Sequence, residues 1–566
     1  MKKIFITFAA IIFMLSACND LDLYPLSEGS DSNWFSDESE LEMTIVNIFN
    51  HAFWDGYAPV NFYMNCDDHC VRTYITAIAS GSISGQLGDV TNAWDGCYKC
   101  IARANAFLVN NRAEGISEEK LNMYIANARF ARAVMYSKLV FLWGDVPYYE
   151  GTLNIDEAFS MGRMDKDEIL PKIYADFDYA IANLPEDYSN SEYKFATKGA
   201  ALAFKARIAL YMGDYSVARD AAKACIDLGI YELFPDYSTL FLSKTKNSIE
   251  TIFSVPNSVE KGSYWQGGDV RDVLTRTAGG NCSRNPSWDL FASYLCTDGL
   301  PIDESPLFNP REPFKNRDPR CTATIVEFNS VWMGYTFTPH PDTLKVLNHN
   351  TGKLVDNKDN RAVAQWASFN GLAWAKHVDE DYLDLKSEND NILMRYADVL
   401  LMYAEAKIEL GEIDNSVLNA MNQVRARAYG VEVGDVASYP GINETNQSEL
   451  RKILRIERRM ELAKENMLRY NDILRWRLAE KVMNLPRYGM LDVNPLREKV
   501  VNQGLWFWAE TPPIDEDGVA DFLPMHEMGV IRQLVKRNFD PAKHYLWPIP
   551  TTEIQINENM IQNPGY

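Results

Sequence analysis

Seven histidines, nine cysteines and 78 acidic residues supply groups that could catalyse a reaction or hold a metal, and their spacing assigns them to neither role. His51, His69, His340, His349, His377, His526 and His544 are scattered. No H-E-x-x-H or H-x-x-x-H pair sets two imidazoles on one helical face. Gly81-Ser82-Ile83-Ser84-Gly85 carries Ile83 where a nucleophile elbow needs serine, so it reads as a flexible polar loop. Neither a P-loop nor a G-x-G-x-x-G fingerprint is present. Two carboxylates could meet in a cleft as in glycosidases, yet no spacing picks out such a pair. Cys66-x₃-Cys70 followed by Cys97-x₂-Cys100 superficially matches a four-thiolate zinc site. Cys97 shares an apolar helix face with Trp94, Tyr98 and Ile101, which favours buried thiols or a local disulfide, and Cys225 reads as core. The expectation is no enzyme, no metal and no cofactor.

The elements behind these residues are mostly helical. Asp37-x-x-Glu40 looks like a capping pair opening a helix toward Phe53, and Asp165-x-x-Glu168 opens another that ends at Leu184-Pro185. Apolar spacing predicts an antiparallel pair over Thr91 to Asn110 and Ser117 to Trp143. Ala200 to Met212, the turn Gly213-Asp214-Tyr215, then Ala218, Ala221, Ala222 and Ala224 before Gly229 resembles a tetratricopeptide unit. Ile392 to Leu410 with Val417 to Ala428 gives a second instance. Counting Thr91 to Trp143 and Ser448 to Leu478 as degenerate copies, about four helical pairs should stack into a continuous core. Residues of about 236–389 and 486–566 are rich in Pro, Gly, Asn and aromatics, with only short strand-like runs such as Thr251 to Val255 and Thr322 to Val326. The expected fold is mainly α, a tetratricopeptide-like helical-pair scaffold over about 36–235 and 390–485, with long loop-rich insertions and short strands. Long loops on a rigid scaffold are a usual place for binding groups.

The start of the chain has its own chemistry. Lys2 and Lys3 precede an apolar run from Ile4 to Leu15, shorter than the ~20 residues that span a bilayer. Leu15-Ser16-Ala17-Cys18 resembles a bacterial lipobox, in which Cys18 becomes the acylated first residue, and acyl chains bury enough CH₂ groups to anchor a protein. Asn19-Asp20-Leu21-Asp22 looks like the surface-export tail of such lipoproteins. This gives a signal peptide over 1–17, a lipidated tether over 18–35 and a folded region over 36–566. The formal net charge of −22 repels phosphate backbones, so nucleic acid is a poor partner and a neutral ligand fits better.

Six ordered motifs carry a family resemblance over nearly the whole mature chain. They are Ala128-Arg129-Phe130-Ala131-Arg132-Ala133 with Trp143-Gly144-Asp145-Val146-Pro147; Arg163 through Leu184-Pro185; Arg317-Asp318-Pro319-Arg320; Arg395-Tyr396-Ala397-Asp398 through Glu405-Ala406; Ile456-Glu457-Arg458-Arg459 through Arg475-Trp476; and Trp547-Pro548-Ile549-Pro550 through Tyr566. The chain is similar to the SusD/RagB outer-membrane lipoproteins. That resemblance implies a surface-exposed, lipid-anchored protein of the outer membrane that binds oligosaccharide or polysaccharide. It further implies delivery to a SusC-like TonB-dependent transporter, with this protein as the transporter's lid. Peptide or glycopeptide is the alternative cargo, and a surface glycoside hydrolase is the more distant reading. The charged residues of these motifs lie on helix faces of mixed sign and read as ion pairs organising the stack.

A sugar site asks for aromatic faces that stack on the C–H faces of the ring, with Asp, Asn and Arg for the hydroxyls. The glycan-binding candidates are Trp54, Asp55, Tyr57, Asp67, Asp68, Trp94, Trp265, Trp288, Trp332, Tyr335 and Trp366. Trp265, between Tyr264 and Gln266-Gly267-Gly268, has the composition of an exposed loop, whereas Trp94 is equally suited to packing. Trp143, Trp476 and Trp547 belong to the fold motifs.

Overall fold

The computed structural model describes residues 34–57, 60–72, 74–111, 114–188, 195–382 and 386–566. The signal segment and Cys18 lie outside the described residues. Helix starts follow local capping chemistry. The Asp37 side chain accepts from Glu40 N and opens Glu38–Ile48. The run expected to continue toward Phe53 is instead two helices, because Asn50 accepts from Ala52 N and starts His51–Tyr57 afresh. Ser117 caps Glu118–Trp143, which Gly144 closes at φ +74°. That helix is buried on nearly every side beyond Tyr124, since it packs between Gly88–Asn110 and Lys166–Asn183. The expected pair is therefore a layer of three.

The tetratricopeptide-like units are present as helical pairs. Lys198–Met212 turns at Gly213 into Tyr215–Asp227, and Tyr396–Leu410 turns at Gly411 into Asn415–Ala428. Buried Ala200, Ala203, Ala206, Ala218 and Ala222 let neighbouring axes come close. Gln447–Leu462 and Leu468–Arg475 complete the scaffold. No helix among the described residues is long and apolar enough to cross a membrane.

Local pattern misleads at three places. Asn391–Arg395, expected as the start of a helix, is a strand antiparallel to Thr251–Val255 and buried at every position; a short apolar run of that kind has no period that separates strand from helix. Thr322 to Thr324, expected in a strand running to Val326, instead belong to the helical turn Arg320–Thr324, with the Asp318 carboxylate accepting from Arg320 N at 2.9 Å. The 81–85 segment is packed rather than loose. Ile83 is buried, and a Cβ on Gly85 would lie 2.5 Å from the Ile549 carbonyl oxygen.

The loop-rich side has its own core around Trp288, Phe291, Trp374, Trp508 and Phe522. Short antiparallel pairings tie its loops together: His69–Val71 with Arg284–Pro286, Trp265–Gln266 with Lys386–Ser387, Pro486–Met490 with Ile531–Lys536, and a four-stranded sheet within 331–356.

Buried ion networks join the scaffold to these loops. Arg320, Arg395, Arg425, Arg427 and Lys376 pair with Asp318, Glu250, Glu457, Glu461 and Glu465. A second group sets Arg207, Arg458 and Arg475 against Asp398, Glu405 and Asp472. Most of these charges belong to the six motifs, and most of their pairs hold together segments distant in sequence.

Candidate functional site

An exposed group of aromatic rings and arginines lies on the loop-rich side. Trp366 is 47% exposed and stacks with Phe369, centroids 6.2 Å apart and planes at 17°. The Arg72 guanidinium lies 5.5 Å from the Trp366 ring centroid; it donates to the Trp366 carbonyl and, at 2.9 Å, to the Asn281 carbonyl. Arg361 and Arg532 sit 4.4 and 5.0 Å from the Phe369 centroid and share the Asp492 carboxylate at 2.7 and 2.8 Å. The Arg361 hydrogen bond, aided by the Arg532 charge, holds Asp492 below the usual carboxylate range.

Each of these side chains is placed by a rigid neighbour. Arg72 follows the His69–Val71 strand, and Arg532 is on the Ile531–Lys536 strand. The loop that carries Trp366 and Phe369 is pinned at one end by Asn360, whose amide donates to the Pro341 and Thr343 carbonyls. At the other end Asn370 donates to the Pro286 carbonyl at 2.7 Å.

A chain of polar contacts carries the face onward to Trp265. Asn281 donates to Asp272 at 2.8 Å, and Arg284 lies 3.5 Å from Asp272 and 3.1 Å from Asp269. Asp269, Trp265, Tyr63, His377 and Asn389 line a cavity of about 50 Å³, with the Trp265 indole donating to the Asn389 carbonyl at 2.8 Å. That volume holds water rather than a sugar ring, so the arrangement is a strip with a small recess at one end. Tyr74, 47% exposed, stands beside Arg284.

The strip suits stacking and hydrogen bonding. Asp269 and Asp272 are engaged with Arg284. Burial drives His69 and His377 far below the usual imidazole range and leaves them neutral. His69 is stacked on Trp374 in the interior.

The structure brings together only part of the set chosen from sequence. Trp366 and Trp265 belong to the strip. Trp332 and Tyr335 lie on a hairpin, where half-buried Trp332 packs against the cluster of Cys282, Val326, Phe337, Ala373 and Ala375, whose Cys282 follows Asn281 in the chain. Trp54 is core, stacked on Phe49 at 5.6 Å. Trp94 is core, edge-on to Trp143 at 5.4 Å. Trp288 is core too, its indole donating to the Asn370 carbonyl at 2.8 Å. Nearby loops suggested exposure for these three, but each ring lies in a helix, inside His51–Tyr57 and Gly88–Asn110 or at the start of Trp288–Ser293, that turns it into the core, where its apolar area is buried. Asp67 and Asp68 are buried, Asp67 bonded to Arg469 at 2.6 Å and Asp68 to Arg459 at 2.8 Å. Asp55 and Tyr57 fall in the His51–Tyr57 helix, and their side chains lie outside the described residues.

Cys66, Cys70, Cys97 and Cys100 are buried free thiols, and burial pushes Cys70 and Cys97 up to about 11, which makes them poor thiolate ligands. Sequence reasoning missed Arg72, Tyr74, Phe369, Arg361 and Arg532. Arg72-Thr73-Tyr74, an arginine and an aromatic following a short strand, is the signal that could have found the first two.

The separation of core from strip can be tested on Trp288. Trp288→Phe removes one buried hydrogen bond and some ring volume, so it should cost about 1–2 kcal/mol. Denaturant unfolding should show that loss while glycan affinity is unchanged.

Comparison with known proteins bears on the same regions. Residues 249–566 match the family model described as the SusD family, and residues 42–210 match one described as starch-binding associating with outer membrane. A SusD-like protein of Formosa agariphila is 25% identical over 501 residues, covering 83% of this chain and 89% of its own. The crystal structure of a SusD-like carbohydrate-binding protein from Bacteroides fragilis superposes with a TM-score of 0.75 at 27% identity, over 93% of this chain and 99% of that one. A laminarin-binding SusD-like protein shares the fold at a TM-score of 0.61 and 20% identity, over 94% of this chain and 100% of its own. With one family model spanning more than half of the sequence, and the helical pairs and loop-rich side superposing as a unit on a solved relative, the chain belongs to the SusD family.

Proposed function

We propose that this protein is a cell-surface lipoprotein that captures oligosaccharide on the strip from Trp366 to Trp265 and passes it to a SusC-like TonB-dependent transporter, serving as the transporter's lid. The observation that carries the binding part is the Trp366–Phe369 stack with Arg72 at its edge, exposed on loops that the fold holds rigid. Sugar C–H faces pack on such rings, and Asn281, Asp272 and Tyr74 offer partners for hydroxyls. Arg361 and Arg532 share Asp492 and Arg72 donates to two carbonyl oxygens, so these donors are already engaged, which favours a glycan stacked on the rings over a peptide carboxylate gripped by guanidinium. The carbohydrate-binding and laminarin-binding relatives support the same class of ligand. Delivery and the lid role rest on family membership and on the lipobox-like Leu15-Ser16-Ala17-Cys18.

Calorimetry of the purified protein against plant, fungal and host polysaccharides tests the binding role, with chromatography of the recovered glycan testing inertness. Saturable binding of at least one glycan, returned at its original length, is expected; shortening of the glycan would make the protein a hydrolase. The anchor has a separate test. Cys18→Ala should release folded protein into the soluble fraction, and a variant that resists carbonate washing would place the anchor elsewhere.

A further inference from the structure

Arg537 stands apart from every other buried charge described above. It is 1% exposed, and Nε, Nη1 and Nη2 all lack a hydrogen-bond partner among the described residues. No carboxylate among the described residues forms an ion pair with it. Leaving a buried donor unpaired costs about 1–3 kcal/mol, and more when it is charged, so three on one guanidinium call for a partner.

The neighbours define what that partner is. Arg537 follows the Ile531–Lys536 strand, and Arg487 is on the paired Pro486–Met490 strand. Arg487 donates to the Cys66 carbonyl at 2.6 Å and to the Asp67 carbonyl at 3.3 Å, which leaves its charge uncompensated. Arg459 and Arg469 pair with Asp67 and Asp68, and Asp289 is the remaining carboxylate whose charge reaches Arg537. Four guanidiniums thus share this interior with three carboxylates, and burial raises two of these, Asp68 and Asp289, from their ordinary value, so the negative side is at most three charges. Burial pushes the Cys66 and Cys70 thiols up and His69 down, so all three stay neutral. In the two ion-paired networks of the scaffold, by contrast, cations and carboxylates are equal in number. Here the interior is one negative charge short, at the residue whose donors are orphaned.

We propose that Arg537 and Arg487 hold a small monovalent anion of the halide type, enclosed beneath the 66–71 segment. One charge balances the group, and the near-complete burial of Arg537 selects a small ion over an organic acid. The anion would serve as a fixed structural ligand that ties the paired strands 486–490 and 531–536 to the strand preceding Arg72, and so to the base of the strip.

The test uses the purified full chain at constant ionic strength, with chloride exchanged for gluconate. A ligand of the native state alone stabilises as the logarithm of its concentration above saturation, so the melting temperature should rise with chloride. Bromide should replace chloride, and crystals grown in bromide should show an anomalous peak within hydrogen-bonding distance of the Arg537 guanidinium. Arg537→Met should abolish the chloride dependence; the wild-type titration and the bromide crystals decide the matter even if that variant does not fold. A melting temperature indifferent to chloride, an equal response in a folded Arg537→Met, or crystals with ordered water alone at Arg537 would overturn the proposal.

Discussion

Glu461→Ala should cost about 3–5 kcal/mol of stability, the largest effect expected of any single substitution in the molecule. Its carboxylate accepts from Arg395 at 2.7 Å, from Arg320 at 3.1 Å and from Arg427, and it is fully buried. Removing it leaves three buried guanidiniums short of a counter-charge. Folded domains are stable by about 5–15 kcal/mol, so much of the margin would go. Arg219→Ala, which breaks the exposed pair with Glu412, should cost under about 1 kcal/mol and serves as the control. Denaturant unfolding measures both, and similar losses in the two variants would contradict the role given to the network.

Acid should attack the neighbouring network. Burial alone would raise the Asp398 pKa, but Arg207 and Arg458 outweigh it and bring it down to about 2, below its ordinary 3.8. A carboxyl whose folded pKa lies below its unfolded value contributes stability in full above the unfolded value. That contribution fades as pH falls from about 4 toward 2, and Asp398→Asn should flatten the fall.

Trp366→Ala is expected to produce the largest functional effect. Truncating an aromatic anchor at a binding site commonly costs ~2 kcal/mol or more, which is tens-fold in affinity. The ring is nearly half exposed, so the melting temperature should hardly move. Calorimetry with the matching glycan checks the first point and thermal unfolding the second. Normal binding by this variant would place the site elsewhere.

How far the sequence could be read depended on whether a residue's role is local. Caps at Asp37, Ser117 and Asp165 and the turns at Gly213 and Gly411 are local chemistry, and the helices start and stop there. The strand at Asn391–Arg395 exists because Thr251–Val255 lies beside it, a partner some 140 positions away that no local pattern shows. The same holds for the site. Trp54, Trp94 and Trp288 are large rings near loops in sequence, as Trp265 is, and only the packed structure separates rings that found a core from rings that did not. Phe369 and Arg532 read as ordinary residues, since their meeting depends on strands 486–490 and 531–536, some 40 residues apart, pairing beside the 361–370 loop. Asp67-Asp68 carry no sign of burial in the sequence, because Arg459 and Arg469, about 400 residues on, cannot be matched to them by spacing.

Hydrogen–deuterium exchange of the protein with and without a saturating oligosaccharide tests the central claim most directly, because it locates contact without assuming a residue. The account predicts ligand-dependent protection at 70–74, 264–284 and 361–370, with the helical scaffold unchanged. Protection confined to the helical pairs, for instance over 396–428, would contradict it.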